Sequence, residues 1–359
     1  MGIKNVVEPL GIAFIFTLTT IVNRSRKKDR KQPESNIPDA STPLIEHEPI
    51  LRLSETSRIE HWLPHPNTRP FHNNPLSQLL RIFPFLLEIG YWVLIYWPYQ
   101  LLRARTAVWI NSDPARKAAT FSHAEKNAKR VLEVEKWLNI DLEHWSQHFV
   151  LTRCKSWVMT LLCDVYVSHV AIEIAFLGYA YTYFPREKYQ RIRRTIFINN
   201  VLAFLVLSIY RCTPPRLMPS SYDFVDVLHP SFKQPGVSPP SDWANNRFQL
   251  TIAAMPSLHF GTALLIGCSV AIWGRYVWLK ALGLLYPPLM AVVVITTANH
   301  WVLDCVAGAG VVALGWWFLN WAVLVFTPLE EWVFWIVRTE KPSEVPEIVA
   351  IAIKEDDEV

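Results

Sequence analysis

Long runs of apolar residues constrain the fold of this chain more than any other feature. A helix needs about 20 mostly apolar residues to cross a bilayer. The strongest such segments lie at residues 157–184, 195–210, 260–273, 277–298 and 301–326. Of all residues, 51% are hydrophobic, yet the mean hydropathy is only +0.16, so polar loops and tails accompany the apolar segments. This pattern predicts an all-α fold, a polytopic transmembrane helix bundle.

The N-terminal part of the chain consists of an apolar segment followed by a polar one. Residues 6–23 are apolar and precede a basic stretch, whereas a secretory signal carries its charges first. We therefore interpret residues 1–23 as a membrane anchor that is not cleaved, with an unstructured segment as the alternative. Residues 24–78 are polar and contain eight prolines between Pro33 and Pro75, which predicts a disordered cytosolic linker.

Two further segments precede the strongest apolar runs. Residues 79–102 contain Pro84 and Pro98, which predict a kinked helix. Between residues 131 and 150, apolar side chains recur at intervals of three and four, which predicts one amphipathic helix against the membrane. Its apolar positions are Val131, Val134, Leu138, Leu142, Trp145 and Phe149.

The distribution of basic residues predicts which loops face the cytosol. Residues 185–194 form a short connection with five basic residues and one acid, which favours the cytosolic side. The small net charge of +4 gives no reason to expect nucleic acid as a partner. Counting crossings from this connection leaves four basic residues on the wrong side, namely Arg103, Arg105, Arg116 and Lys117. The topology of the N-terminal half therefore stays open.

Three polar clusters lie at the ends of apolar segments, on the non-cytosolic side by the same count. They span residues 210–219, 253–259 and 299–304. The connection between the first two, residues 211–255, has seven prolines between Pro214 and Pro240. Long loops of this kind are usually functional or disordered, and we expect a lid over an active site.

The second and third clusters contain residues suited to phosphoryl transfer. His300 and Asp304 are four residues apart, which places both on one face of a helix. A carboxylate beside an imidazole selects its tautomer and stabilises the charge that it gains. Such a histidine can attack phosphorus and form a phosphohistidine. His259 can then protonate the leaving oxygen and later activate the acceptor.

Phosphate would be held by polar groups from the first two clusters. Arg216 presents a planar fork that fits phosphate oxygens. Ser257 and the amides of the following helix can add hydrogen bonds, because helix N-termini favour anions. No zinc-type spacing is present, and we expect neither a metal nor another cofactor.

Each cluster alone has a simpler interpretation. A histidine at a membrane edge can be an interfacial polar residue, and a His-x3-Asp pair can stabilise a helix or form half a metal site. The Pro-Pro-Arg sequence can be a turn. The coincidence of three clusters on one face favours catalysis, because ionisable residues at membrane depth are costly and are candidates for function.

The clusters resemble the signature of the type 2 phosphatidic acid phosphatase superfamily, and more closely its branch of inositol phosphorylceramide synthases. The matches are Pro-Pro-Arg-Leu at 214–217, Ala-Met-Pro-Ser-Leu-His at 254–259 and Asn-His-x3-Asp at 299–304. The stretch 133–140 is similar to the acidic helix that precedes that branch's core, and the resemblance covers about 131–325.

The resemblance implies a six-helix phosphatidic-acid-phosphatase-like core with a lumenal site and no required metal. It also implies that His300 is the nucleophile, His259 the acid and Asp304 the residue that orients the nucleophile. The wider superfamily has Lys-x6-Arg-Pro in its first motif, whereas Ile209 and Leu217 occupy the corresponding positions here. Arg211 is the candidate for the missing charge in phosphate binding.

These residues predict a membrane phosphotransferase or phosphohydrolase acting on a lipid-linked phosphoester, with inositolphosphotransferase-like sphingolipid synthesis as the finer expectation. The alternatives are a lipid phosphate or diphosphate phosphatase that uses water, or a non-catalytic protein that retains the fold. The expected catalytic domain spans 79–330 and the cytosolic tail 331–359. Expected partners are a lipid phosphate, a lipid acceptor and the bilayer, in the Golgi or ER.

Overall fold

The computed structural model describes residues 4–25, 66–228, 250–323 and 327–342, and within these ranges the chain is helical without any β-strand. Short connections join most of the helices. The α-helices, in chain order, are α1 Lys4–Val22, α2 Pro75–Ile82, α3 Phe85–Asn111, α4 Pro114–Leu138, α5 Glu143–Arg153, α6 Ser156–Tyr183, α7 Arg186–Ile209, α8 Leu258–Trp273, α9 Val277–Thr296, α10 Val302–Ala313 and α11 Thr327–Ile336.

Four helical segments are long and apolar enough to cross a membrane: α6, α7, α9, and α10 with the π-helical turn Leu314–Leu319 that continues it. The pair α2 and α3 supplies a fifth candidate span. The predicted all-α, multi-span membrane protein is therefore confirmed at this level.

The chain divides into two compact units. The larger comprises Met1–Thr17 and Trp92–Leu319 and contains the polar clusters; the smaller comprises Leu18–Tyr91 and Asn320–Val359. Within the smaller unit, the amide of Glu340 donates to Ser77 Oγ at 2.8 Å, and Lys341 pairs with Glu330 at 3.3 Å. The first bond connects the start of α2 to the residues that follow α11, and the second connects those residues to α11 itself.

The kink predicted in the second apolar segment lies at Pro84. Helix α2 ends at Ile82 and α3 begins at Phe85, and the two are bent by 102°. Pro84 has no amide hydrogen, so it cannot continue the hydrogen-bond pattern of α2. Pro98, in contrast, lies inside α3.

The prediction of a loop at residues 185–194 is wrong, because α7 begins at Arg186, directly after Pro185. Arginine and lysine are good helix formers, and no residue after Pro185 interrupts the helix. Arg191 on the second turn donates to the Trp316 carbonyl at 2.7 Å, and its guanidinium lies over the Trp316 ring. The cytosolic location of these basic residues stays a prediction.

The single amphipathic helix predicted at residues 131–150 is two helices, α4 and α5, separated by a turn in which Asn139 is left-handed (φ 58°). The predicted apolar face is mostly on the outside: Trp145 is 65% exposed, whereas Val131 is buried. The buried positions of the two helices include polar residues, namely Asn127, Glu135, Glu143 and Gln147. An apolar face on the outside is compatible with the predicted position against the membrane, because such a face can contact lipid, and that position stays a prediction.

Helices α8 and α10 approach closely at two glycines. A Cβ on Gly308 would come within 2.3 Å of the Ser257 carbonyl oxygen, and one on Gly261 within 3.0 Å of the Gly308 oxygen. Ser257 is the N-cap residue of α8, and α10 begins just after His300. This glycine contact therefore sets the distance between the two helices that start at the polar clusters.

Candidate active site

Backbone hydrogen bonds hold the three polar clusters together. The Cys212 amide donates to the Ile252 carbonyl at 3.2 Å, and the Ala254 amide donates back to Cys212 at 3.1 Å. The Arg216 amide donates to Ala298 at 2.9 Å, and the Ser257 amide to Asp304, also at 2.9 Å. The convergence that was expected from the sequence is thus present in the fold.

His300 is buried, and one of its ring nitrogens is held by the backbone. Its Nδ1 lies 2.7 Å from the carbonyl oxygen of Ala254. A carbonyl oxygen can only accept, so Nδ1 carries the hydrogen and the neutral ring has its lone pair on Nε2. The backbone of the second cluster therefore selects the tautomer of the histidine in the third.

Asp304 lies near His300 but is not its hydrogen-bond partner. Its Oδ2 is 3.6 Å from His300 Nδ1, beyond hydrogen-bond distance, and accepts instead from the Trp301 amide at 2.8 Å. The Asp304 side chain is fully buried. The carboxyl group thus lies one turn from His300, as the spacing predicted.

His259 faces His300 from the start of α8, with the two ring centroids 5.9 Å apart. Tyr166 of α6 stacks on His259 at 4.2 Å, and the His169 ring lies at 5.1 Å. Nδ1 of His169 is 2.8 Å from the hydroxyl of Tyr286 on α9. These three aromatic residues were missed in the sequence, where the one available signal was a histidine within an apolar segment.

Arg216 is buried and paired with an acid that the sequence did not single out. Its Nη1 is 2.9 Å from Asp226 Oδ2. Asp226 also accepts from the Leu228 amide at 3.2 Å. A phosphate at Arg216 would therefore have to share the guanidinium with Asp226 or displace it.

Ser257 and Arg211 occupy different surroundings. Ser257 is fully buried, and its Oγ caps α8 by accepting from the Phe260 amide at 3.3 Å. Arg211 lines a cavity of about 260 Å³ whose other walls are Ala119, Thr120, His123 and Ile209. That lining contains neither histidine of the pair nor Arg216.

The start of the proline-rich connection packs against α5. Gln147 donates to the Val225 carbonyl at 2.8 Å and accepts from the Val225 amide at 2.9 Å. These bonds fix the backbone beside Asp226. The predicted lid, residues 211–255, includes residues 229–249, which lie outside the described residues.

Three buried carboxylates surround the first turn of α10. Asp304 accepts from the Trp301 amide, Glu143 from the Val302 amide at 2.7 Å and Glu135 from the Leu303 amide at 2.7 Å. Burial, reinforced by the negative charge of Glu143, raises the pKa of Glu135 to about 9. Burial also raises the pKa of Glu143. Glu143 was not identified from the sequence.

Comparison with known proteins identifies the family. A model of the PAP2 superfamily, which generally comprises phosphatases and phosphotransferases, matches residues 129–318, more than half of the 359-residue chain. No curated protein and no solved structure matches. The match includes all three polar clusters, and the superfamily predicted from them is confirmed. This multi-pass membrane protein therefore belongs to the PAP2 superfamily, which indicates a phosphatase or phosphotransferase acting on a lipid phosphate.

Proposed function

We propose that this protein cleaves a lipid-linked phosphoester through a phosphohistidine on His300. The hydrogen bond from His300 Nδ1 to the Ala254 carbonyl carries the proposal, because it leaves the lone pair on Nε2. Asp304, 3.6 Å from Nδ1, stabilises the positive charge that the ring acquires on attack.

The proposed reaction has two steps. In the first, Nε2 of His300 forms a bond to phosphorus, the bond from phosphorus to the leaving oxygen breaks, and His259 gives its proton to that oxygen. In the second, neutral His259 takes a proton from the acceptor hydroxyl, whose oxygen bonds to phosphorus and releases His300. The 5.9 Å separation of the two rings supports a phosphoryl group lying between them.

Arg216 is the proposed anchor for the phosphate oxygens. Its burial supports this role, because a guanidinium in a site of low dielectric attracts an anion more strongly than one in water. Ser257 can donate its hydroxyl hydrogen while its oxygen caps α8. Arg211 lines a neighbouring cavity and is proposed to contact a more distant part of the substrate, such as its head group.

We propose a lipid hydroxyl as the acceptor, as in inositolphosphotransferase-like sphingolipid synthesis. The support is the likeness of the three motifs to the synthase branch. The second candidate is a lipid phosphate or diphosphate phosphatase with water as the acceptor, which the same residues would serve. The third, a non-catalytic protein that retains the fold, is disfavoured by the presence of His259, His300 and Asp304 together.

The proposal includes a location and a domain arrangement. A six-helix catalytic core within residues 79–330 would present the site to the lumen of the Golgi or ER. Residues 1–23 would anchor the chain, and residues 24–78 and 331–359 would be cytosolic. Cysteine-accessibility labelling of residues 211–228 in sealed vesicles tests this arrangement. Labelling from the cytosolic side would contradict it.

Purified full-length protein in mixed micelles distinguishes the acceptors. Phosphatidylinositol with ceramide is one substrate set and phosphatidic acid is the other, with lipid products and free phosphate measured by mass spectrometry and colorimetry. A ceramide product that carries phosphoinositol indicates the transferase, and released phosphate indicates the phosphatase. In either case H300A should abolish turnover without loss of folding. Undiminished turnover by H300A would exclude His300 as the nucleophile.

A further inference from the structure

The turn that follows His300 accepts stabilising contacts from α4 and α5, which are not among the membrane-spanning candidates. Three consecutive amides, those of Trp301, Val302 and Leu303, each donate to a different buried carboxylate at 2.7–2.8 Å. Asp304 belongs to the same helix, whereas Glu135 and Glu143 come from α4 and α5. The first amides of a helix have no partner within the helix and are satisfied by capping side chains, by water or by a bound anion. Here side chains of the protein satisfy them.

Glu135 and Glu143 form a pair that shares a proton. Glu135 is fully buried and Glu143 is 1% exposed, and the negative charge of Glu143 adds to burial in raising the pKa of Glu135. Among the described residues, no donor is hydrogen-bonded to Glu135 Oε2. Two ionised carboxylates in such a place repel each other strongly, so one of them keeps its proton. Glu135, with its pKa raised to about 9 by burial and by Glu143, is the protonated member at neutral pH.

The charges of this arrangement suit the start of a helix. Glu143 and Asp304 are the remaining negative groups, and both accept from amides at the positive end of the α10 dipole. The neutral Glu135 adds a third acceptor without a third charge. The pair therefore satisfies the amides at a low electrostatic cost.

We infer that Glu135 and Glu143 are positioning residues for the reaction, which hold the turn that carries His300 in its reactive orientation. The inference rests on the proposed function of His300. The ring of His300 has one anchor in the carbonyl of Ala254, and its backbone has another in this turn. Both anchors are needed, because a rotation of the turn would carry Nε2 away from phosphorus even with Nδ1 still bound. Misplacement by about 1 Å can cost about 100-fold in rate.

The test compares glutamine substitutions at three positions. E135Q mimics the protonated carboxyl, since its amide can still accept from Leu303 and donate to Glu143, and we expect kcat within about twofold of wild type. In E143Q, a side-chain NH2 group faces the protonated oxygen of Glu135. Two hydrogen-bond donors then oppose each other, which disturbs the turn. We expect kcat to fall about 10- to 100-fold while KM changes by less than about twofold. E133Q, at an exposed position of α4, is the matched control and should behave as wild type.

Stability and rate together separate positioning from simple helix capping. If E143Q lowers the melting temperature but keeps the wild-type kcat well below that temperature, the inference is overturned. If E143Q does not fold, E135A is used, because it removes the acceptor of the Leu303 amide and leaves Glu143 in place. We expect kcat to fall about tenfold in E135A, and an unchanged value would equally contradict the inference.

A third readout distinguishes this inference from the proposed function. If the wild-type protein turns over neither substrate set, the proposed function fails. Amide hydrogen exchange of residues 299–304 then tests whether Glu135 and Glu143 hold the turn after His300. Faster exchange in E143Q than in E133Q would support the holding of the turn. Equal exchange in the two variants would refute it.

Discussion

The contact between α8 and α10 gives the sharpest prediction, the substitution G308A. The added methyl group would lie 2.3 Å from the Ser257 carbonyl oxygen, against the 3.4 Å at which ordinary contact begins. The two helices must therefore separate locally by about 1.1 Å. Neither side can yield by rotating a side chain, because the clash involves the backbone of Ser257.

The separation acts directly on the histidine pair. Ser257 precedes His259 by two residues, and Gly308 lies on the helix that begins just after His300. A shift of about 1 Å between reacting groups costs about 100-fold in rate, and overpacking costs about 1–3 kcal/mol of stability. We expect kcat to fall by about 100-fold in a protein that still folds.

The assay measures phosphate release or lipid product in micelles, with the melting temperature determined on the same samples. G310A is the matched control, because it adds the same methyl group to the same helix, where nothing lies within 4 Å. Because G310A removes a glycine from a helix, this variant should be as stable as wild type or slightly more stable. If G308A keeps kcat within about twofold of wild type, the glycine contact does not set the histidine geometry, and the reasoning fails.

Three further predictions concern single groups. R216K should lower kcat/KM about 10- to 100-fold in the same assay, because lysine cannot bind two phosphate oxygens with a planar fork. Y286F should lower the free energy of unfolding by about 1–3 kcal/mol in thermal or denaturant melts, since it removes the hydroxyl bound to the buried His169. Stability should fall as pH rises from 4.5 towards about 9, because native Glu135 holds a proton that the unfolded chain has lost. E135Q should weaken this dependence in melting curves at pH 6 and 9, while Glu143 and Asp304, which face the same group, retain their own contributions.

Several features of this protein were accessible from sequence because they are local. Membrane spans depend on the apolar content of about 20 adjacent residues, so α6 and α9 were found close to their observed bounds, whereas α7 begins nine residues earlier than its apolar segment. The kink at Pro84 follows from the missing amide hydrogen of one residue. The three polar clusters could be predicted to meet because each lies at the end of an apolar run, and their motifs also indicated the superfamily.

Only the tertiary structure decided which groups contact one another across the chain. Glu135 and Glu143 bond to amides 168 and 159 residues away, which the periodicity of their own segment does not indicate. His300 finds its hydrogen-bond partner in a backbone carbonyl 46 residues away, which no residue type signals. Asp226 pairs with Arg216 because the chain between them turns back. Local chemistry therefore determined the spans and the reactive residue types, whereas the partners that orient those residues depend on long-range packing.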